Sequence, residues 1–170
     1  MWSFKKNMLK FIPDTLSVIT CGNIIDFEGD SGVYRADIIL GTETGIVNFD
    51  YNADGIPDRF QLYYDNILVA DSLYVGSDLI GNPPDIVSGM VGNTYINIPE
   101  FDWVGGVFTP NGNVQTITVL QTDVAPFGET AGAGTLSFEK ETSEPQTMQL
   151  VVTAPLTGTG WNVATSCPTT

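Results

Sequence analysis

Nine short runs of β-branched and aromatic residues, separated by turn-forming residues, limit the fold of this chain more than any other feature. Several runs alternate apolar with polar residues, as at Val47, Phe49 and Tyr51, and this two-residue period indicates strands with one buried face. The runs cover residues 33–40, 45–52, 59–65, 66–76, 93–98, 114–120, 135–141, 147–154 and 161–167. Glycine, proline and asparagine cluster between them. The pattern predicts an all-β chain folded as a single, jelly-roll-like β-sandwich.

The first 13 residues have a different pattern, which is typical of a short amphipathic helix. The apolar side chains at helical spacing are Trp2, Phe4, Met8, Leu9, Phe11 and Ile12. Three lysines lie between them, and Pro13 ends the pattern. We therefore divide the chain into an N-terminal arm, residues 1–13, and a β-sandwich domain, residues 14–170. Because so short a helix is marginal alone, we expect the arm to pack either on its own sandwich or on a partner subunit.

The chain is strongly acidic, and its few basic residues are unevenly distributed. Its 20 acidic and six basic side chains give a formal net charge of −14, and three of the six bases lie in the arm. From residue 11 onward, three bases therefore face 20 acids. Such a body repels phosphate, so we expect no direct binding of nucleic acid.

The chain contains no histidine, which removes the most common general base, the usual catalytic triad and histidine metal sites. A carboxylate pair is the remaining route to catalysis, and Glu100 and Asp102 would share one face of an extended strand. Two carboxylates lie close together by chance in a chain with 20 acids. We therefore expect no enzymatic activity.

A possible calcium loop begins at the end of the second run. Oxygen-bearing side chains occupy positions 1, 3, 5 and 9 of an EF-hand-like loop. These are Asp50, Asn52, Asp54 and Asp58. Gln61 stands where such a loop needs a glutamate. Calcium is one prediction for these residues, and no other cofactor is expected.

The alternative for the same residues is a turn that leads into a strand. Asn and Asp side chains bond their own backbone in such turns. In this interpretation Pro57 fixes the backbone, Arg59 binds carboxylates and Phe60 enters the core. The incomplete calcium motif favours the turn.

The N-terminus does not fit an export signal. Pro13 and Asp14 interrupt the apolar residues, and no small-residue cleavage site follows. No apolar run is long enough to span a bilayer. We therefore expect a protein that is made in the cytoplasm without a signal peptide and that does not associate with membranes.

The strand pattern loosens between residues 76 and 113, where we expect recognition loops at the edge of the sandwich. Phe101 and Trp103 lie in this stretch, and exposed rings there would bind sugars. This predicts a carbohydrate-binding module, calcium-dependent if the loop is occupied, with a host glycan as ligand. Packing in the core is the alternative for both rings.

A longer pattern combines several of these motifs. It begins Tyr-Asn-Ala at residue 51 and Ile-Pro-Asp-Arg-Phe at residue 56, and ends with Ala-Pro-Leu, Trp and Ser-Cys-Pro over residues 154–168. Over residues 21–168 the chain resembles a family of β-sandwich proteins from the virions of tailed bacteriophages. The resemblance implies a structural protein, most specifically a capsid decoration or cement protein. A head-fibre, neck or tail subunit is the alternative.

This resemblance also implies the location and partners of the protein. It would be made in the host cytoplasm and reside in the virion, docked on other virion proteins such as the major capsid protein. It would act as a homo-oligomer or in many copies. The arm is the candidate interaction segment.

Cys21 and Cys167 lie near opposite ends of the sandwich sequence. Cysteines of a protein made in a cytoplasm are usually free thiols, whereas a virion leaves the reducing cell and allows a disulfide. Both states stay open. In either, we expect the two residues on neighbouring strands, with Cα atoms less than about 7 Å apart.

Overall fold

The computed structural model describes residues 18–76, 86–126 and 132–169, and in these ranges eleven strands form two packed sheets. The strands are β1 (Ile19–Thr20), β2 (Ile24–Glu28), β3 (Gly32–Ile39), β4 (Gly45–Asn52), β5 (Asp58–Tyr64), β6 (Ile67–Val75), β7 (Thr94–Val104), β8 (Val107–Thr118), β9 (Ala133–Lys140), β10 (Thr147–Ala154) and β11 (Gly160–Thr165). A short helix, α1 (Ile86–Gly89), and a 3-10 turn over Gln121–Asp123 complete the described elements. None of the described helices has the length and apolarity to cross a membrane.

The strand order is that of a jelly roll with one inserted hairpin. The larger sheet has the order β6-β5-β10-β3-β7-β8, with β1 also pairing with β3, and the smaller sheet has the order β2-β11-β4-β9. Without β1, β7 and β8, each sheet keeps four strands, and all neighbours are antiparallel. Two four-stranded antiparallel sheets in this order, with the first strand paired to the last, form a jelly roll. The predicted all-β fold class is therefore confirmed.

The core lies between the two sheets and follows the two-residue period of the strands. Phe60 and Leu62 of β5 and Leu150 of β10 fill it from the larger sheet, and Phe49 and Trp161 fill it from the smaller one. Burying a large apolar side chain stabilises the fold by roughly 1.5–3 kcal/mol. The predicted entry of Phe60 into the core is confirmed.

The inserted hairpin consists of β7 and β8 and lies between β6 and β9, the fifth and sixth strands of the jelly roll. Gly105 and Gly106 join its strands with φ values of 62° and 88°, which a two-residue hairpin turn requires and glycine adopts without steric cost. β7 pairs in parallel with β3 only from Glu100 to Asp102. The hairpin thus extends the larger sheet, and β8 becomes its end strand.

Two irregularities in strand pairing bend this hairpin. One lies on β7 between Tyr95 and Ile98, where Asn97 has a φ of 56°, and the other lies on β8 between Pro110 and Val114. Extra residues of this kind bend a strand and increase its twist. The base and the distal part of the hairpin therefore cover different surfaces.

The base of the hairpin covers the outer face of the larger sheet, where Ile98 packs with Val33 and Val151. The distal part continues the sandwich, and Phe101 and Phe108 pack against the main core. The predicted recognition loops are therefore wrong for residues 94–113, which are strands joined by a two-residue turn. Residues 77–85 lie outside the described ranges.

Candidate functional site

The predicted Cα separation of Cys21 and Cys167 is confirmed, and the two residues form a disulfide. The prediction of neighbouring strands is wrong, because both cysteines lie just outside strands, and those strands belong to different sheets. Cys21 directly follows β1 and Cys167 lies just beyond β11. Their Cα atoms are 4.9 Å apart. The backbone N–H of Gly22 donates to the carbonyl of Thr165 at 2.6 Å, so the main chain already brings the two segments together. The bond links the chain just after β1 to the chain just after β11.

The four predicted calcium ligands do not converge on one point. Asp50 lies on the exposed face of β4 and accepts a hydrogen bond from Thr135 of the neighbouring β9. Asn52 accepts one from the backbone N–H of Asp54 at 2.8 Å, which is a side-chain turn of the kind Asn favours. Asp58 points into the fold and is fully buried. Among the described residues no three acidic or cysteine side chains are arranged to hold a metal ion, so the geometry supports the turn rather than the calcium site.

Among the described residues, the carboxylate of Asp58 has one side-chain hydrogen-bond partner, the hydroxyl of Thr159. Thr159 Oγ1 donates to both oxygens, at 2.9 Å and 2.8 Å. Burial raises the pKa of Asp58 well above its ordinary value, and the hydrogen bond from Thr159 only partly opposes this. The fold therefore favours the protonated acid, and this contribution to stability is lost as the pH rises through the folded-state pKa.

We expect Asp58→Asn to gain stability relative to wild type as the pH rises from about 4 to about 8, by about 1–3 kcal/mol, the desolvation cost of a buried polar group. Asparagine resembles the protonated acid and cannot ionise. Urea unfolding at several pH values measures the difference. Thr159→Val should have the opposite effect. It removes the hydrogen bond that lowers the pKa of Asp58, so the protein should lose stability more steeply as the pH rises. A difference between wild type and Asp58→Asn that is constant with pH would contradict this interpretation.

Arg59 binds two carboxylates, as predicted for one of the few cations of the body. Its Nη2 lies 2.7 Å from Asp71 Oδ2, and its Nη1 lies 3.0 Å from Asp123 Oδ1. Its guanidinium also lies 5.9 Å from the ring centre of Tyr74. Burial alone would raise the pKa of Asp71, but the hydrogen bonds from Arg59 and from the Leu73 backbone lower it. This cluster joins β5, β6 and the 3-10 turn.

Glu100 and Asp102, the candidate catalytic pair, both make hydrogen bonds to other side chains of the fold. Glu100 accepts two hydrogen bonds from Arg35, at 2.8 Å and 3.3 Å, and another from Gln115. Asp102 accepts one from Asn111 at 3.1 Å. The Arg35 guanidinium lowers the pKa of Glu100, against a smaller effect of burial. A general acid for glycoside cleavage needs a raised pKa, so the lowered pKa of Glu100 does not suit that role.

The two predicted sugar-binding rings are used in packing. Phe101 stacks on Tyr34 with ring centres 4.8 Å apart, and Trp103 meets the edge of Phe108 at 5.0 Å. Trp103 also borders an open depression of about 370 Å³ beside Asp37 and Gln149, but its indole nitrogen is buried and has no hydrogen-bond partner in the part of the chain that the structure describes. The geometry therefore favours core packing for both rings.

The predicted interaction residues of the arm lie outside the described ranges. These are Trp2, Phe4, Met8, Leu9, Phe11 and Ile12. The described residues contain a different candidate surface, which we call the hairpin surface. Of the ten large apolar side chains that are exposed in the described ranges, five belong to β7, β8 or the residue pair that follows them. They are Ile96, Val104, Val107, Val114 and Leu120.

Sequence reasoning did not identify the hairpin surface, although a signal was present. Residues 103–122 contain no charged side chain in a chain of 26 acids and bases. A long uncharged stretch is ordinary for a central strand, as in residues 145–170, which hold β10 and β11. It is informative only once β8 is known to be an end strand.

Comparison with family models, with curated proteins and with solved structures found no match to this chain. The resemblance to virion proteins of tailed bacteriophages therefore stays a prediction from the sequence motifs.

Proposed function

We propose that this chain is a structural, non-catalytic subunit of a tailed-bacteriophage virion, and specifically a capsid decoration protein that docks on the major capsid protein. The sequence motifs of residues 51–60 and 154–168 support the virion class. Jelly rolls occur in viral capsid proteins and also in lectins, so the fold alone does not select between them. The packed state of Phe101 and Trp103 makes the carbohydrate-binding alternative weaker.

The observation that carries the proposal is that all three basic residues of the body bind partners within the chain itself. Arg35 pairs with Glu100, and Arg59 pairs with two aspartates. Lys140 is fully buried and donates to the carbonyl of Thr142 at 2.5 Å. The body therefore presents acids to its surroundings, and such a surface repels phosphate and other anions.

The other three basic residues of the chain lie in the arm with its apolar side chains. An arm that docks on a neighbouring subunit would hold the acidic body at the particle surface. Each large side chain that it buries contributes roughly 1.5–3 kcal/mol before the cost of ordering. Many copies on one particle would strengthen attachment further.

We expect deletion of residues 1–13 to lower the number of copies on purified virions at least about tenfold, a loss of about 1.4 kcal/mol or more. The melting temperature of the body should stay within a few degrees, because surface segments contribute little to global stability. Quantitative mass spectrometry of gradient-purified particles measures the copy number.

A pair of matched arm variants separates docking from charge. Leu9→Asp should reduce incorporation, because it places a carboxylate on the apolar face of the arm. Asn7→Asp makes the same charge change between the apolar positions and should leave incorporation unchanged. Unchanged incorporation of the deletion variant, or absence of the wild-type chain from particles, would contradict the proposal.

A further inference from the structure

Apart from the two-residue β1, which pairs only with β3, the described sheets have four end strands, and β8 differs from the other three. β6 carries Asp71, β2 carries Asp26 and Glu28, and β9 carries Glu139 and Lys140. The twelve residues of β8 include no charged side chain. Charges on end strands protect proteins against edge-to-edge pairing. β8 lacks this protection.

The backbone of β8 directs unpaired groups away from the sheet. The N–H of Val119 donates to the carbonyl of Asn93 at 3.0 Å, so residue 119 faces the β7 side. Hydrogen-bonding direction alternates along a strand, and Ile117 therefore also faces β7. It follows that Val114, Thr116 and Thr118 point their N–H and C=O groups outward, where no described strand accepts them.

The same stretch exposes apolar side chains. Val114 is 59% exposed and Leu120 is 56% exposed, and Ile96 on the adjacent β7 is 66% exposed. Thr116 and Thr118 lie between the first two in sequence and are exposed as well. Valine and threonine are good strand formers. This stretch thus combines backbone groups that no described strand accepts, exposed apolar side chains and a run without charged residues.

We propose that two copies of the chain associate through β8, by antiparallel pairing of residues 114–118 about a two-fold axis centred on Thr116. This inference concerns the chain in solution and does not rest on the proposed function. Pairing in this register sets Val114 opposite Thr118, Gln115 opposite Ile117 and Thr116 opposite its own copy. Cross-strand pairs of this kind, including Thr–Thr, are favourable.

Charge limits the ways in which two copies of this chain can meet. Two chains that each carry a net charge of −14 repel one another over most orientations. Along β8 no acid of one copy meets an acid of the other. A two-fold contact also closes on itself, so it forms a dimer and not a fibre. Pro110 and the irregularity before Val114 end the free stretch on one side.

Analytical ultracentrifugation of the full chain at tens of micromolar tests this proposal. We expect wild type to sediment at twice the 18.3 kDa mass of one chain. Thr116→Lys should be monomeric with unchanged circular dichroism, because a lysine at the centre would face its own copy. Ile24→Lys is the matched control on end strand β2, where Ile24 is 73% exposed; it makes the same charge change and should stay dimeric.

Cross-linking tests the register. The native cysteines are bonded to each other, so Thr116→Cys introduces the only free thiol. Residues on the two-fold axis of an antiparallel pair lie about 5.5 Å apart between Cα atoms, which suits a disulfide. Oxidation should link two chains in Thr116→Cys and leave Ile24→Cys unlinked. A monomeric wild type, a dimeric Thr116→Lys, equal loss in both lysine variants or equal cross-linking of both cysteine variants would overturn the proposal.

Discussion

Replacing Cys21 and Cys167 together with serine is expected to lower the free energy of unfolding by about 5 kcal/mol, which is the largest effect we anticipate from any change outside the core. The bond joins residues 146 positions apart. In the chain-entropy description, a cross-link stabilises mainly by restricting the unfolded chain, and the effect increases with the length of the closed loop. Urea unfolding at neutral pH measures the difference between the two proteins.

A reducing agent supplies the control for this prediction. It should bring the stability of wild type down to that of the double variant and leave the double variant unchanged. Because the backbone hydrogen bond from Gly22 to Thr165 stays in place, we expect the folded structure of the double variant to be native. A loss below about 1 kcal/mol would show that the unfolded chain gains little freedom when the bond is removed.

Trp161→Ala is expected to cost about 3–5 kcal/mol of unfolding free energy. The indole is 2% exposed and lies at the centre of the aromatic cluster. Its ring centre is 5.0 Å from that of Phe27, 5.7 Å from that of Phe108 and 6.0 Å from that of Tyr34. Truncation would remove these contacts together and leave a cavity that the two sheets cannot close.

Trp103→Ala is the matched control, since it removes the same side chain from a partly exposed position. Trp103 contacts the ring of Phe108 at the margin of the same cluster, so we expect about half the loss or less. Chemical denaturation of both variants gives the comparison. Equal losses would contradict the central position that we assign to Trp161.

The strands were predictable from sequence where the local pattern and the final environment agree. The run at residues 147–154 matches β10, and the run at 45–52 matches β4. In both strands, alternate side chains enter the core, so a signal with a period of two residues reports directly on burial. The jelly-roll prediction followed from these runs and the turns between them.

The features that sequence did not reveal depend on residues far apart in the chain. Asp58 has the spacing of a calcium ligand, but its partner Thr159 lies 101 residues away. The hairpin bend depends on extra residues in two strands at once, and the composition of one strand does not indicate them. The carboxylate partners of Arg59 were predictable because the chain has few cations and many acids.

The covalent link at Cys21 and Cys167 has a mechanical consequence. Tension applied between residue 18 and residue 169 would run along β1, cross the two sulfur atoms and leave through the residues after β11. The segment between the cysteines, which holds every described strand except β1, would be shielded from that load by the covalent bond. A body pulled at these two residues would first lose the pairing of β1 with β3 and of Thr169 with Ile46, and the disulfide would then carry the force in place of the hydrogen bonds between the other strands.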